Sequence, residues 1–316
     1  MPLMPTTEPS TSEVPSGPTV LLTGASGYVG GRLIPLLERQ PLVLRCLARD
    51  PDKLRPRLAT STEVVRGDVL APPSLEAALQ GVETAYYLVH LMSGSKDFER
   101  EDRQAAKNFT DAAKRSGVKR IIYLGGLGDD ADPKLSPHLR SRHEVGEILR
   151  ESGSETIEFR AGMVVGAGSL SFDLLKSLTD RLPVMLCPKW LTTPTQPIAV
   201  DDVLAYLLAA KDLPAGESRI FEIGGTDVVT YSDLIREYAR LKHLRRWLIF
   251  VPVLTPYLSG LWLALVTPAS FEVGRHLIEG LKNPTVVRDA EALRAFSIRP
   301  ISVRAAIQKA IDGTTG

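Results

Sequence analysis

The sequence predicts a doubly wound α/β fold: a parallel sheet covered by helices, with a smaller, mostly helical C-terminal lobe. Two observations carry this. From Thr19 onward, short apolar runs alternate with amphipathic stretches, which is the rhythm of βαβ units. The first of these runs, Thr19 to Leu22, leads at once into Gly24, Gly27 and Gly30, spaced G-x-x-G-x-x-G, and then into the helical apolar positions Leu33, Ile34, Leu36 and Leu37. In a strand-turn-helix unit of this kind the first glycine permits the turn, the second lets the backbone approach a diphosphate, and the third lets the helix close on its strand. The free N–H groups at the helix start then face the anion. Gly24, Ala25, Ser26, Gly27, Tyr28, Val29 and Gly30 are therefore the expected cradle of a dinucleotide.

With 316 residues and 44% hydrophobic content, the chain can bury a sizeable core. Its 38 basic and 37 acidic residues leave a net charge of +1, which gives no footprint for nucleic acid. Cys46 and Cys187 stand apart among apolar neighbours, which fits buried thiols in a reducing compartment rather than a metal site. Residues 1–18, rich in Pro, Thr, Ser and Glu, read as a disordered tail, and they show no basic start followed by an apolar run. The expected location is the cytoplasm. The expected organisation is a tail over 1–18, a dinucleotide-binding core over 19–165, and a substrate lobe over 166–316 interleaved with the last sheet elements.

The second strand, Leu42 to Ala48, ends at Arg49-Asp50-Pro51. An acidic residue at that place binds the adenosine ribose of NAD, whereas an arginine pairs with the 2′-phosphate of NADP. Arg49 points to NADP, with NAD as the alternative because Asp50 adjoins it. A third strand, Glu63 to Arg66, precedes Asp68 and Val69, which are placed to meet adenine, although Asp is also common in turns for local reasons. Strand four, Thr84 to Val89, leads into His90-Leu91-Met92-Ser93-Gly94 at the carboxyl edge of the sheet. Val89 and His90 are expected beside the coenzyme and Met92 beside the substrate.

A long amphipathic helix from Asp97 to Ser116 stops at Gly117 and feeds strand five, Arg120 to Leu124. Gly125 to Asp130 then forms a flexible loop, a helix spans Leu135 to Leu149, and Thr156 to Arg160 is strand six.

In this order, the glycine turn, Arg49, Gly67-Asp68-Val69, Ser74-Leu75, Gly117-Val118-Lys119-Arg120-Ile121-Ile122-Tyr123 and Phe159-Arg160-Ala161-Gly162 resemble the atypical, NmrA-like branch of the extended short-chain dehydrogenase/reductases. The resemblance runs from Thr19 to about Leu208. It implies a Rossmann domain holding NAD(P) and a smaller lobe over the substrate. In active members of the wider family, a Tyr-x-x-x-Lys pair on the helix after strand five protonates the substrate and binds the nicotinamide ribose, with a serine after that strand. Here the matching helix reads His138-Leu139-Arg140-Ser141-Arg142, and the serine's place falls in Gly125-Gly126. Tyr and Lys are thus replaced by His138 and Arg142. An imidazole can donate a proton near neutral pH, and arginine supplies fixed charge but no proton, so a relay would run through His138, Tyr123 or water. The alternative is an ordinary helix start with solvated charges.

The same resemblance puts substrate contacts at Gly162, Met163 and Val164. The helix from Ser171 to Leu182 carries Phe172, Leu175 and Leu178 on one side, and Met185 to Leu191 is an apolar, proline-broken wall. Asp201 is expected to cap a helix. Residues 247–271 carry no charge. This is about the length of a membrane span, but Pro252, Pro256 and Gly260 interrupt it. It reads as two apolar segments, Leu248 to Leu254 and Pro256 to Val266, folded into the lobe, or as a peripheral membrane or protein contact. A helix over Phe271 to Leu281, a turn and strand over Asn283 to Arg288, and a closing helix capped by Ser302 complete the chain. No metal-ligand cluster, Walker loop or nucleophile elbow occurs. The expected function is an NADP-dependent oxidoreductase of an apolar small molecule. The alternatives are a coenzyme-binding sensor without turnover and an accessory subunit of a membrane complex.

Overall fold

The computed structural model describes residues 17–91, 97–251 and 280–313. Residues 1–16 of the tail expected over 1–18, Met92, residues 252–271 of the apolar stretch over 247–271, and nearly all of the helix expected over Phe271 to Leu281 lie outside the described residues. Described elements follow the predicted alternation: β1 (Thr19–Leu22), α1 (Tyr28–Leu37), β2 (Val43–Ala48), α2 (Pro51–Leu54), β3 (Glu63–Arg66), α3 (Pro72–Leu79), β4 (Val82–Tyr87), α4 (Phe98–Ser116), β5 (Arg120–Gly126), α5 (Pro137–Arg150) and β6 (Glu155–Ala161). Then come β7 (Val164–Val165), α6 (Leu170–Arg181), β8 (Val184–Pro188), β9 (Pro194–Thr195), β10 (Ile198–Ala199), α7 (Val200–Ala210), β11 (Arg219–Ile223), β12 (Val229–Thr230), α8 (Tyr231–Leu241), β13 (Trp247–Val251), α9 (Glu291–Ala295) and α10 (Val303–Asp312).

The main sheet is parallel throughout, in the order β11-β6-β5-β4-β1-β2-β3. The order reverses between β1 and β4, so connections leave these neighbours in opposite directions and open a crevice at their carboxyl ends. Strand period sets the two faces. Leu22, Cys46, Tyr86, Ile122 and Phe159 face α1 and α7, whereas Leu21, Leu47, Tyr87, Ile121 and Tyr123 face α3, α4 and α5. Both faces are apolar because both are covered, as parallel sheets require. A third apolar cluster, including Met163, Phe172, Met185, Cys187, Tyr231, Tyr238 and Ile307, forms the lobe.

Several local readings need correction. Asp201 does not cap α7: the N-cap is Ala199, without a side-chain hydrogen bond, and Asp201 instead pairs with Lys309 at 2.9 Å. Its neighbour Asp202 accepts the Ile301 N–H at 2.9 Å, so the acidic pair ties α7 to the chain around α10. The strand expected after Asn283 is reduced to a single bridge between Thr285 and Thr195. Met185 to Leu191 is a short strand followed by a tight turn, because β8 pairs in parallel with β13, Leu186 opposite Ile249. Leu248 packs against the lobe core, while Trp247 is 71% exposed. Ser302 does cap α10, accepting the Ala305 N–H at 3.3 Å. Both cysteines are buried, and burial pushes the Cys46 thiol up to about 12. Among the described residues no helix is long and apolar enough to cross a membrane.

One buried ion pair joins the two halves of the chain. Arg120, at the start of β5, binds Glu155 at 2.6 Å and donates to the carbonyls of Ala210, Lys211 and Leu213 at and just past the end of α7. Arg120→Met leaves Glu155 buried without its cation and is expected to cost about 3–5 kcal/mol. Urea unfolding checks this, and a loss below about 1 kcal/mol contradicts it.

Candidate active site

The first turn is built by three glycines with different duties. Gly24 has φ +69°, and a Cβ there would strike the Leu88 carbonyl just past the end of β4. A Cβ on Gly30 would strike the Gly24 carbonyl, so α1 sits directly over the turn only because that atom is missing. Gly27 is the N-cap of α1 and supplies no side-chain cap, and the first turn of the helix carries no acidic residue. The start of α1 thus keeps its N–H groups for an anion at a place where a side chain would fill the cradle. This geometry fits a dinucleotide diphosphate. Ala25 is buried, and the side chains of Tyr28 and Val29 pack into the core, so these residues can meet the diphosphate only through their main chain.

A cleft of about 190 Å³ runs from this turn along the carboxyl ends of β1, β2 and β4, lined by Ser26, Arg49, Asp68, Val69, Val89 and His90 among others. At its adenosine end, Arg49 is exposed and no acceptor among the described residues takes its guanidinium. The adjacent Asp50 is held by Lys53 at 3.0 Å, which removes the competing carboxylate from Arg49. Asp68 spends one carboxylate oxygen on the Leu70 N–H at 3.0 Å, the local turn bond that Asp commonly makes.

At the other end lies a polar cluster. His90 Nδ1 is 3.2 Å from Asp102 Oδ2, and Asp102 also accepts the Leu91 N–H at 3.0 Å and the Ser141 hydroxyl at 3.4 Å. The His138 ring faces the His90 ring with centroids 4.9 Å apart. Arg142 donates to the carbonyls of Leu124 and Val89 and lies over the Tyr123 ring, 4.8 Å from its centroid. Burial pulls the His90 pKa down, as does the Arg142 charge, against the upward pull of Asp102. For Asp102, burial acts upward but is outweighed by His90, Arg142 and the Leu91 N–H, and the carboxyl sits below its usual range.

Tyr123 does not join this cluster. It is fully buried on the α4 and α5 side of the sheet, its hydroxyl donates to the Arg142 carbonyl at 2.8 Å, and burial raises its pKa. A strand residue on the covered face cannot turn toward the carboxyl edge, so Tyr123 belongs to the core and not to a proton relay.

His90 also borders a second chamber of about 220 Å³. Gly125, Gly126, His138, Arg142, Gly162, Met163 and Val164 line it, which brings the proposed dyad and the described substrate positions together. A smaller apolar recess of about 70 Å³ adjoins it, sharing Met163, Ser171, Tyr231 and Leu281 and adding Leu174, Leu178 and Trp190.

The site residue that sequence reasoning missed is Asp102. It lies on the buried stripe of α4 with Phe98, Ala105, Ala106 and Phe109, so a carboxylate at an apolar position was the available signal. Tyr231 and Leu281 carried no such signal, since only the folded lobe brings them to the chamber.

Residues 24–163 match the sequence model of a family described as NAD(P)H-binding. The chain is 24% identical over 273 residues to the photosystem II assembly factor Ycf39 of Cyanophora paradoxa, covering 83% of this chain and 79% of that one. It is 29% identical over 139 residues to the NAD(P)H azoreductase of Xenophilus azovorans, covering 44% of this chain and 43% of the azoreductase. Among solved structures, the triphenylmethane reductase of Citrobacter sp., complexed with NADP(H), superposes with a TM-score of 0.73 over 92% of this chain and 99% of that one. At 17% identity this likeness speaks for the fold.

Two outcomes follow from the geometry. Arg49→Glu is expected to weaken NADPH binding by tenfold or more while changing NADH binding about twofold, read by titration calorimetry; equal losses contradict a 2′-phosphate contact. The second concerns pH. Because the folded-state pKa of His90 lies below the ordinary 6.5, the unfolded chain takes up a proton that the folded chain refuses. Stability from this group is complete above pH 6.5 and falls as the pH drops toward the lowered value, by at most about 1.4 kcal/mol per pH unit. The groups facing it are Asp102, Arg142 and His138. His90→Gln should flatten unfolding curves just below pH 6.5, and an unchanged slope contradicts the assignment.

Proposed function

We propose that the protein, whose residues 24–163 match an NAD(P)H-binding family, is an NADPH-dependent reductase of an apolar small molecule. The observation that supports this most is the continuity of the cleft. The coenzyme groove passes His90 into the chamber that holds His138, and that chamber continues into an apolar recess. A bound coenzyme supplies a hydride. The protein orients the acceptor against it, keeps water out with Met163, Leu139 and Leu281, and provides a proton from His138 to the reduced atom. Arg142 contributes fixed positive charge next to that atom while its donors hold the carboxyl ends of β4 and β5. Arg49, whose guanidinium has no carboxylate on it among the described residues, favours NADP over NAD. The likeness to an NAD(P)H azoreductase supports a reductase, and the apolar recess supports an apolar acceptor.

A second reading, a coenzyme-binding accessory protein or regulator without turnover, is favoured by the likeness to an assembly factor over most of both chains and by the use of two Arg142 donors on main-chain carbonyls. In that reading the exposed Trp247 and Ile249 of β13 are the contact with a partner or membrane surface.

An activity screen separates the two. With menadione or methyl red as acceptor, NADPH oxidation is expected for the wild-type protein. His138→Phe should lower it about 100-fold while leaving NADPH affinity within about twofold. Turnover unchanged by His138→Phe returns this residue to an ordinary helix start, and no oxidation of NADPH with any acceptor favours the accessory reading.

A further inference from the structure

The resemblance assigns the holding of the nicotinamide ribose to a lysine, whose place here is Arg142. The structure shows that guanidinium donating through Nη1 to the Val89 carbonyl and through Nη2 to the Leu124 carbonyl, which ties two of its five N–H donors to the strand ends. A buried acceptor lies beside it on another residue, His90. Asp102 is 2% exposed, its carboxyl is held, against the upward pull of burial, below its usual range by His90, Arg142 and the Leu91 N–H, and a carboxylate only accepts hydrogen bonds, which assigns the proton between them to the Nδ1 of His90. His90 Nε2 is therefore a bare lone pair. It is buried, and among the described residues it has no hydrogen-bond partner. A buried acceptor left unmet costs about 1–3 kcal/mol, a cost that a ligand donor removes. His90 lines both the coenzyme cleft and the chamber with His138, where the nicotinamide half of a dinucleotide would lie.

We propose that Asp102 fixes His90 as a dedicated hydrogen-bond acceptor for a hydroxyl or amide N–H on the nicotinamide half of the coenzyme, which makes His90 a positioning residue for that half. Burial and the nearby Arg142 charge keep the imidazole neutral, so the lone pair persists at neutral pH. The Ser141 hydroxyl and the Leu91 N–H hold the carboxylate in place, which locks the tautomer from behind. The inference rests on the coenzyme-binding part of the reading above and not on turnover.

The test combines imidazole ¹⁵N NMR of the full chain with binding of three probes. These are NADP⁺, 2′-phospho-ADP-ribose, which lacks the nicotinamide ring, and 2′,5′-ADP, which lacks the whole nicotinamide half. In the free protein His90 should show a protonated Nδ1 and a bare Nε2, and the Nε2 signal should move with NADP⁺ but not with 2′,5′-ADP. Movement with 2′-phospho-ADP-ribose as well identifies a ribose hydroxyl as the donor, and movement with NADP⁺ alone identifies the carboxamide. His90→Phe should raise the Kd of NADP⁺ about tenfold and leave that of 2′,5′-ADP unchanged. Asp102→Asn, which turns an amide donor toward Nδ1 and favours the opposite tautomer, should match that loss. The proposal is overturned by an Nε2-protonated His90 in the free protein, by an Nε2 signal that responds only when menadione is added, or by a His90→Phe variant that weakens both probes equally or neither. Failure of the reductase reading looks different: no acceptor oxidises NADPH, while the ratio of the two affinities is untouched.

Discussion

Everything in the molecule is arranged around a close approach of main chain to main chain at the first turn. Gly24 takes a left-handed conformation with its open side against the Leu88 carbonyl, and Gly30 lets the first turn of α1 rest on the Gly24 carbonyl. These contacts bring the start of α1 to the point where β1 and β4 part, so the N–H groups at the helix start face the crevice opened by the reversal of strand order. Any side chain at either position would push the helix away or fill the groove. The rest of the chain builds outward from that point. β2 brings Arg49 to one end, β4 brings His90 to the other, and the chain beyond β6 folds back to wall the chamber.

Charge at the inner end of the cleft is organised through one buried carboxylate. Asp102 gathers the Leu91 N–H, the Ser141 hydroxyl and the His90 ring, while Arg142 lies close enough for its charge to lower the pKa of both His90 and Asp102. A buried cation next to a buried anion is tolerated because each has further partners, main-chain carbonyls for one and hydrogen-bond donors for the other. The consequence for function is a division of labour. Arg142 holds the strand ends and sets the local potential, Asp102 holds the His90 ring, and His138 faces the chamber from the start of α5.

Much of the fold was legible because its signals are local. Strand and helix periods mark β1 to β6 and the helices between them, and the glycine spacing marks the turn. What was not legible depended on contacts distant in sequence. Tyr123 was a plausible relay by its chemistry. Its alternation with Ile122, however, puts it on the same face as Ile121, under α4 and α5. Asp201 looked like a cap, yet α7 starts at Val200, and the carboxylate is used by a lysine more than a hundred residues away. The identity of Arg142 could be read from the helix, but its partners are carbonyls on two other strands, which no pattern in the helix reveals. Asp102 could have been found, since it interrupts the apolar stripe of α4.

The central claim is that the start of α1 holds the dinucleotide diphosphate. Titration calorimetry with NADPH on the wild-type protein and on Gly27→Asp tests it most directly. Gly27 is the N-cap and has an extended backbone, φ −75° and ψ 174°, that aspartate can adopt. An aspartate there caps the helix and is expected to preserve the unfolding temperature, while its own carboxylate occupies the N–H groups in place of the diphosphate. The account predicts saturable heat for the wild type and its loss in Gly27→Asp with folding intact. Equal affinity in the two proteins, or no heat from the wild type, would contradict it.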